Sequence, residues 1–117
     1  MNLMGIDVGT TSVKTAVFDE ALKMLYNNNI DYTLESHGDI VEAEATKYWD
    51  IVKAELANLD VSVDALAIDT QCETLILTDE DGNPVRKAIV WLDNRATKEA
   101  EEIEKHFGKR AALELLL

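Results

Sequence analysis

The segment "LMGIDVGTTSVKTAVFD", residues 3–19, constrains the fold of this chain more than any other part of it. An apolar run reaches Asp7 and Val8 and breaks at Gly9. After two threonines a strict alternation begins. Val13, Thr15 and Val17 fall on one face of an extended strand, and Lys14, Ala16 and Phe18 on the other. A link as short as "GTT" sends the second strand back along the first, so the segment is expected to be an antiparallel hairpin.

The elements that follow extend this start into a mixed sheet. "DEALK" reads as a turn, and "MLYNNNIDYTLE" has the aromatic and branched residues of a third strand, weakened by three asparagines. "EATKYWDIVKAELANL" is helical, with Ala45, Trp49, Val52, Leu56 and Leu59 forming an apolar stripe at spacings of three and four. "VDALAIDT" is a compact apolar run expected to be a buried parallel strand. "ETLILTD" and "RKAIVWLD" read as two further strands on either side of the turn "DEDGNP". "RATKEAEEIEKHFG" is a second helix, with His106 near its end and Gly108 as its C-cap. "KRAALELLL" is expected to be a third helix. Three leading strands form a meander and the first helix crosses over to a parallel strand, which makes an α/β domain with a mixed sheet.

Charge and cysteine content narrow the function classes. The 117 residues carry a formal net charge of −12, which repels nucleic acid phosphates and anionic membrane surfaces. No basic stripe is visible, and acidic runs such as "KEAEEIEK" read as solvated helix faces. Cys72 is the single cysteine, so no internal disulfide is expected and a reducing, cytoplasmic setting is the default. "MNLMGIDVG" lacks the pattern of a signal peptide, and no apolar run approaches the length of a membrane span. The closing "LELLL" needs something to pack against. Either a last helix docks on its own domain, or the chain is the front piece of something longer.

Two constellations have the residue types of a chemical site. In the first, Gly9 lets the backbone turn tightly, successive amides form an anion-binding concavity, and Thr10, Thr11 and Ser12 offer hydroxyls to phosphate oxygens. Lys14 adds positive charge, and Asp7 is placed to hold a hydrated magnesium ion. The same residues also suit a plain hairpin turn, and the GxxxxGK[ST] pattern of a P-loop is missing. In the second, Asp69, Thr70, Gln71 and Glu73 gather where one strand ends and the next begins, the usual place for ligands in open α/β sheets. Gln71 and Glu73 suit a polyhydroxylated molecule, with Trp91 as an apolar face; a polar turn beside a core tryptophan has the same composition.

Three motifs taken together resemble a known family. "GIDVGTTSVKTAVFD" is similar to the first phosphate motif of the FGGY carbohydrate kinases. "TQCETLILTDEDGNPVRKAIVWLDNRAT" resembles that family's sugar or glycerol segment, in which Q-R-E-T and W-x-D-x-R runs flank a D-x-x-G-x-P turn. "VEAEATKYW" resembles the family's E-x-D-P-x-x-W-W, with Glu44 and Ala45 in place of the aspartate and proline. The resemblance spans essentially the whole chain. It implies a ribonuclease H-like (actin-like ATPase) α/β fold and ATP-dependent phosphorylation of a sugar or polyol with Mg2+. It also implies that Thr10, Thr11, Ser12 and Lys14 contact nucleotide phosphates and that Asp7 lies near the magnesium. Glu73 would hold substrate hydroxyls, Trp91 would pack on the substrate's carbon chain, and Gln71 and Cys72 would border the pocket. Asp93 and Arg95 read as a structural brace.

Two departures matter. Cys72 stands where glycerol kinases have an arginine, and a thiol cannot supply forked donors, so a ketose, pentitol or other polyol fits at least as well as glycerol. Cys72 itself reads most simply as a small buried filler. These kinases are also much longer, so residues 1–117 are expected to be the N-terminal portion of their first domain. The catalytic aspartate and the adenine site would then lie elsewhere, with no catalytic residue in this chain. Two rival readings remain: a fragment that binds or self-associates without catalysis, and an RNase H-like nuclease using Asp7 and Asp69 as metal ligands.

Overall fold

A computed structural model describes residues 1–108. The helix expected from Lys109 onward lies outside the described residues. The leading meander forms as expected: β1 (Leu3–Val8), β2 (Ser12–Phe18) and β3 (Met24–Asp31) are antiparallel neighbours. β4 (Glu35–His37) and β5 (Ile40–Ala43) follow, then α1 (Ala45–Asn58) and β6 (Ala65–Thr70). β6 lies parallel to β1 as expected, giving the main sheet the order β3-β2-β1-β6. It is not the buried strand expected from its apolar run: it stands at the end of the sheet among the described residues and all six of its residues are exposed. The fold is therefore α/β with a mixed sheet.

Alternation in the strands produces the core. Met4, Ile6 and Val8 of β1 and Val13 and Val17 of β2 point to one face, where α1 covers them through Val52. The helix stripe differs from the expected one. Trp49 is 61% exposed and Leu56 38%, while Ala45, Val52 and Glu55 are buried, and Tyr48 and Leu59 pack on the core clusters. Positions 45, 48, 52, 55 and 59 make the true stripe, and Glu55 occupies its centre. Its carboxylate accepts hydrogen bonds from Thr15 Oγ1 (2.9 Å), Tyr26 Oη (3.1 Å) and Asn28 Nδ2 (2.9 Å). A buried carboxylate with three donors is tolerated where an unpaired one is not. A purely apolar stripe therefore selected the wrong helical phase.

The two strands expected after β6 are much reduced. Only β7 (Ala88–Ile89) is regular, and it pairs with β5 in a second sheet of order β4-β5-β7. "ETLILTD" contributes isolated bridges, Leu75 to Ile89 and Thr78 to Pro84. The reason is a bulge. One residue separates Leu75 from Leu77, but three separate Val85 from Ile89, and both ends are hydrogen-bonded across the pair. Arg86 and Lys87 sit in that bulge and reach Glu42 (2.6 Å) and Glu35 (2.6 Å). The β4–β5 hairpin, turned at Gly38 with φ 63°, is too short and too exposed to show as periodicity.

α2 (Thr97–Phe107) forms as expected and buries no residue. Gly108 adopts φ 82° and its amide donates to the Glu104 carbonyl at 2.8 Å, so it caps the helix as expected. Among the described residues no helix is long and apolar enough to cross a membrane.

Candidate functional site

The turn between β1 and β2 is built from within. Gly9 N–H donates to the Ser12 carbonyl at 2.9 Å, and a Cβ on Gly9 would lie 3.1 Å from that oxygen. Space rather than backbone conformation favours glycine here, since a side chain would force the Ser12 carbonyl to give slightly and the φ of Gly9 is not in the left-handed region. Tyr32, 7% exposed, anchors the turn from below. Its amide donates to the Thr11 carbonyl at 2.8 Å and its hydroxyl donates to the Gly9 carbonyl. Burial, with smaller contributions from Tyr48 and Asp7, pushes this phenol up to about 12. Thr10 is half-buried, Thr11 is exposed, and Ser12 is buried at the start of β2.

Asp7 and Lys14 face away from α1. They are register partners and form an ion pair at 3.3 Å, both largely exposed. Asp69 is the register partner of Asp7 across β6, so the three charged residues share the open face of the sheet. They line a cavity of about 540 Å3 together with Gly5, Ala16 and Ala67. Among the described residues no group of three or more His, Cys, Asp or Glu is positioned to hold a metal.

The second constellation follows β6 directly. Gln71 N–H donates to the Val8 carbonyl at 2.8 Å, which ties the loop to the end of β1. At the other end, Leu75 and Ile89 exchange backbone hydrogen bonds at 2.9 Å. Between them Glu73 adopts φ 66°. A non-glycine residue there costs about 1–3 kcal/mol and persists only where its surroundings enforce it; Leu22, φ 59°, is the other such residue and sits in the plain turn between β2 and β3. Cys72 is exposed, which corrects its reading as a buried filler: the loop projects from the strand end, and its side chain has no core to enter.

Trp91 joins the two constellations. Its indole Nε1 donates to Thr10 Oγ1 at 3.0 Å, across 81 residues of chain. The ring is 49% exposed, so it is not a core tryptophan. The loop that carries it is clamped just beyond. Asp93, its side chain only 2% exposed, accepts from Val41 N (2.7 Å), Arg95 Nε (2.8 Å) and Arg95 Nη2 (2.6 Å). Arg95 Nη2 also reaches Glu42 at 2.7 Å. These hydrogen bonds from Arg95 hold the Asp93 carboxyl well below the usual carboxylate range and lower Glu42 as well. Asp93 and Arg95 thus form the brace that their spacing suggested.

The structure brings Thr10, Trp91, Gln71 and Glu73 to the end of the sheet where β1 and β6 terminate, and sets Asp7 and Lys14 on its open face. Tyr32, Tyr48, Thr74 and Glu42 also shape the site; Tyr48, Thr74 and Glu42 stand inside the quoted motifs without a role of their own, and Tyr32 lies outside all of them. Tyr32 and Tyr48 pack edge to face with ring centres 5.4 Å apart, a contact between a strand tail and a helix that no local pattern announces.

Comparison with known proteins bears on this arrangement. The chain is 31% identical to a glycerol kinase of Coxiella burnetii over 117 residues, covering 91% of this chain and 23% of that protein. It is 24% identical to a xylulose kinase of Lactococcus lactis over 116 residues, covering 92% of this chain and 23% of that protein. Its fold superposes on the crystal structure of xylulose kinase from Rhodospirillum rubrum with a TM-score of 0.87 at 24% identity, covering 95% of this chain and 25% of that one. The chain thus spans about a quarter of the length of the relatives it matches. Residues 2–115 match the N-terminal domain of the FGGY family of carbohydrate kinases, and the chain belongs to that family.

Proposed function

We propose that this chain supplies the phosphate-gripping turn and part of the substrate pocket of an ATP-dependent sugar or polyol kinase. The observation that carries the reading is the Trp91–Thr10 hydrogen bond. It sets the segment assigned to the polyol beside the turn assigned to phosphate, and transfer between the two requires such proximity.

The residues present fit a magnesium-bound phosphoryl donor. Gly9 keeps the turn narrow, and Thr10 accepts from the indole while its own O–H remains free to donate. Thr10 and Thr11 would hold phosphate oxygens, Ser12 would shape the turn beneath them, and Lys14 would add charge. Asp7, a single half-exposed carboxylate, suits a magnesium ion that keeps most of its waters. ATP supplies the transferable phosphoryl group when bound. The catalytic base and the adenine-binding residues belong, in this proposal, to other segments of a longer kinase, with residues 1–117 as the N-terminal portion of its first domain.

On the substrate side, Glu73 would accept hydrogen bonds from sugar hydroxyls, held forward by its strained backbone. Gln71 and the exposed Cys72 would line the rim, and Trp91 would pack against the carbon chain. Cys72 offers no forked donor, so a ketose, pentitol or other polyol fits at least as well as glycerol. The test is a coupled ADP-release assay over ketoses and polyols, on the longest natural polypeptide that carries this chain. Glu73→Ala is expected to abolish sugar-dependent turnover while leaving nucleotide binding intact. Equal loss of both would show the pocket to be misassigned.

A second reading concerns the 117 residues in isolation. β6 is an edge strand of the main sheet with all six residues exposed, including Leu66 and Ile68. Such an edge favours self-association. Light scattering across concentration checks it, and a strictly monomeric chain would dismiss it.

A further inference from the structure

Beneath the Gln71–Thr74 loop lies a cavity of about 240 Å3 lined by Val8, Tyr48, Thr70, Gln71, Thr74 and Ile76. Three polar atoms there are shut off from solvent and make no well-formed hydrogen bond within the protein: Tyr48 Oη, Gln71 Oε1 and Thr74 Oγ1. The Gln71 side chain lies close enough to the Tyr48 hydroxyl to offset part of the rise that burial causes in it, but no protein group reaches Thr74 Oγ1. Buried polar atoms are almost always hydrogen-bonded, so three in one cavity require a common explanation. Val8 and Ile76 offer no side-chain polar atom. The chemistry needed is a small molecule that both donates and accepts: Gln71 Oε1 only accepts, whereas the two hydroxyls do either. The volume holds several waters at about 30 Å3 each, and each water would find two or more partners.

We propose that ordered water fills this cavity and bridges Tyr48 of α1 to Gln71 and Thr74. The bridge explains how the loop keeps Glu73 at φ 66° although its direct backbone ties are at Gln71 and Leu75. It makes Tyr48 and Thr74 positioning residues for Glu73. Tyr48 in turn packs against Tyr32, which holds the Gly9 and Thr11 carbonyls. The water therefore completes a physical connection from the phosphate-side turn to the polyol-side loop. Only this last, functional step rests on the kinase reading; the water site itself does not.

The test uses the 117-residue chain and the variants Tyr48→Phe and Thr74→Val, each of which removes one hydroxyl and nearly keeps the shape. Water-to-protein cross-relaxation in NMR is expected to show long-lived water beside Thr74 in the parent chain and to lose that signal in both variants. The sign of the stability change is a second, independent readout. Deleting a hydroxyl that truly has no partner leaves folding unchanged or improves it, whereas deleting one that binds water lowers the folding constant, by about fivefold. Because both hydroxyls share one water network, the double variant is expected to lose little more than either single one. Absence of long-lived water in the parent, or single variants as stable as the parent, overturns the proposal. Water found with the expected losses, but with polyol binding unchanged in a longer kinase carrying Tyr48→Phe, would overturn the positioning role alone.

Discussion

The hairpin at residues 3–18 and the segment at residues 71–95 meet at the same end of the sheet but are built differently. Hairpin pairs lie close in sequence, from Val8 with Val13 out to Leu3 with Phe18. The later segment depends on distant partners: Arg86 and Arg95 reach Glu42 across 44 and 53 residues, and Asp93 and Lys87 reach Val41 and Glu35 across 52. One region carries its own instructions, and the other is shaped by what surrounds it. That division suits a family whose members share a phosphoryl donor and differ in the molecule phosphorylated. In the reading proposed above, the turn assigned to phosphate is formed largely by neighbours in sequence, while the loop assigned to the polyol can be re-aimed by changing its distant supports.

The strongest way to break this comparison is to remove the anchor that Tyr32 provides beneath the hairpin's turn. Tyr32→Ala deletes a buried ring and the hydrogen bond to Gly9, and is expected to cost about 3–5 kcal/mol in chemical denaturation. An unchanged midpoint would show that the turn stands without its anchor.

Acid should act first on the other region. Asp93 and Glu42 have folded-state values lowered by Arg95, so below the ordinary carboxylate range the unfolded chain binds protons more readily than the folded one. Their stabilisation is full above about pH 5 and is lost as the pH falls from there towards the folded values. Arg95→Gln is expected to lower stability at neutral pH and to flatten the acid limb of the stability profile. An acid limb as steep as that of the parent would place the titrating carboxylates elsewhere.

The same contrast explains how far the sequence could be read. Alternation in β1 and β2, the crossover helix, the parallel β6 and the Gly108 cap follow from local periodicity and turn chemistry, and all are present. An apolar pattern misplaces the phase of α1 because Glu55, with three hydrogen-bonding partners, occupies a position that the pattern reserves for leucine. "ETLILTD" and "RKAIVWLD" have strand composition, but the bulge at residues 86–88 is set by acids on β4 and β5, which lie far off in sequence. The residues around Glu73 mark it as a candidate in the sequence, whereas its left-handed backbone is not legible there, since no glycine marks it.

That backbone offers a smaller and opposite effect. Glu73→Gly removes the strain of a left-handed non-glycine residue and is expected to raise stability by about 1 kcal/mol, partly offset by the freedom glycine gains in the unfolded chain. If Glu73 holds substrate hydroxyls, the same variant loses polyol binding while its melting temperature rises. A destabilised variant would mean that the side chain, rather than the surrounding loop, holds the conformation.

The smallest effect tests the joint between the two regions. Trp91→Phe keeps an aromatic face and removes only the Nε1–H that donates to Thr10. Because the indole is half-exposed, water replaces most of that bond, and the expected stability loss is about 0.5 kcal/mol. Thr10→Val removes the acceptor from the other side, and the double variant should lose no more than the larger single loss, because both delete one contact. In a longer kinase, the reading proposed here expects Trp91→Phe to weaken phosphoryl transfer more than polyol binding, since the ring remains while its tie to the turn is gone. A variant that raises KM for the polyol and leaves kcat untouched would reduce the Trp91–Thr10 bond to a surface contact, with the two halves of the site acting independently.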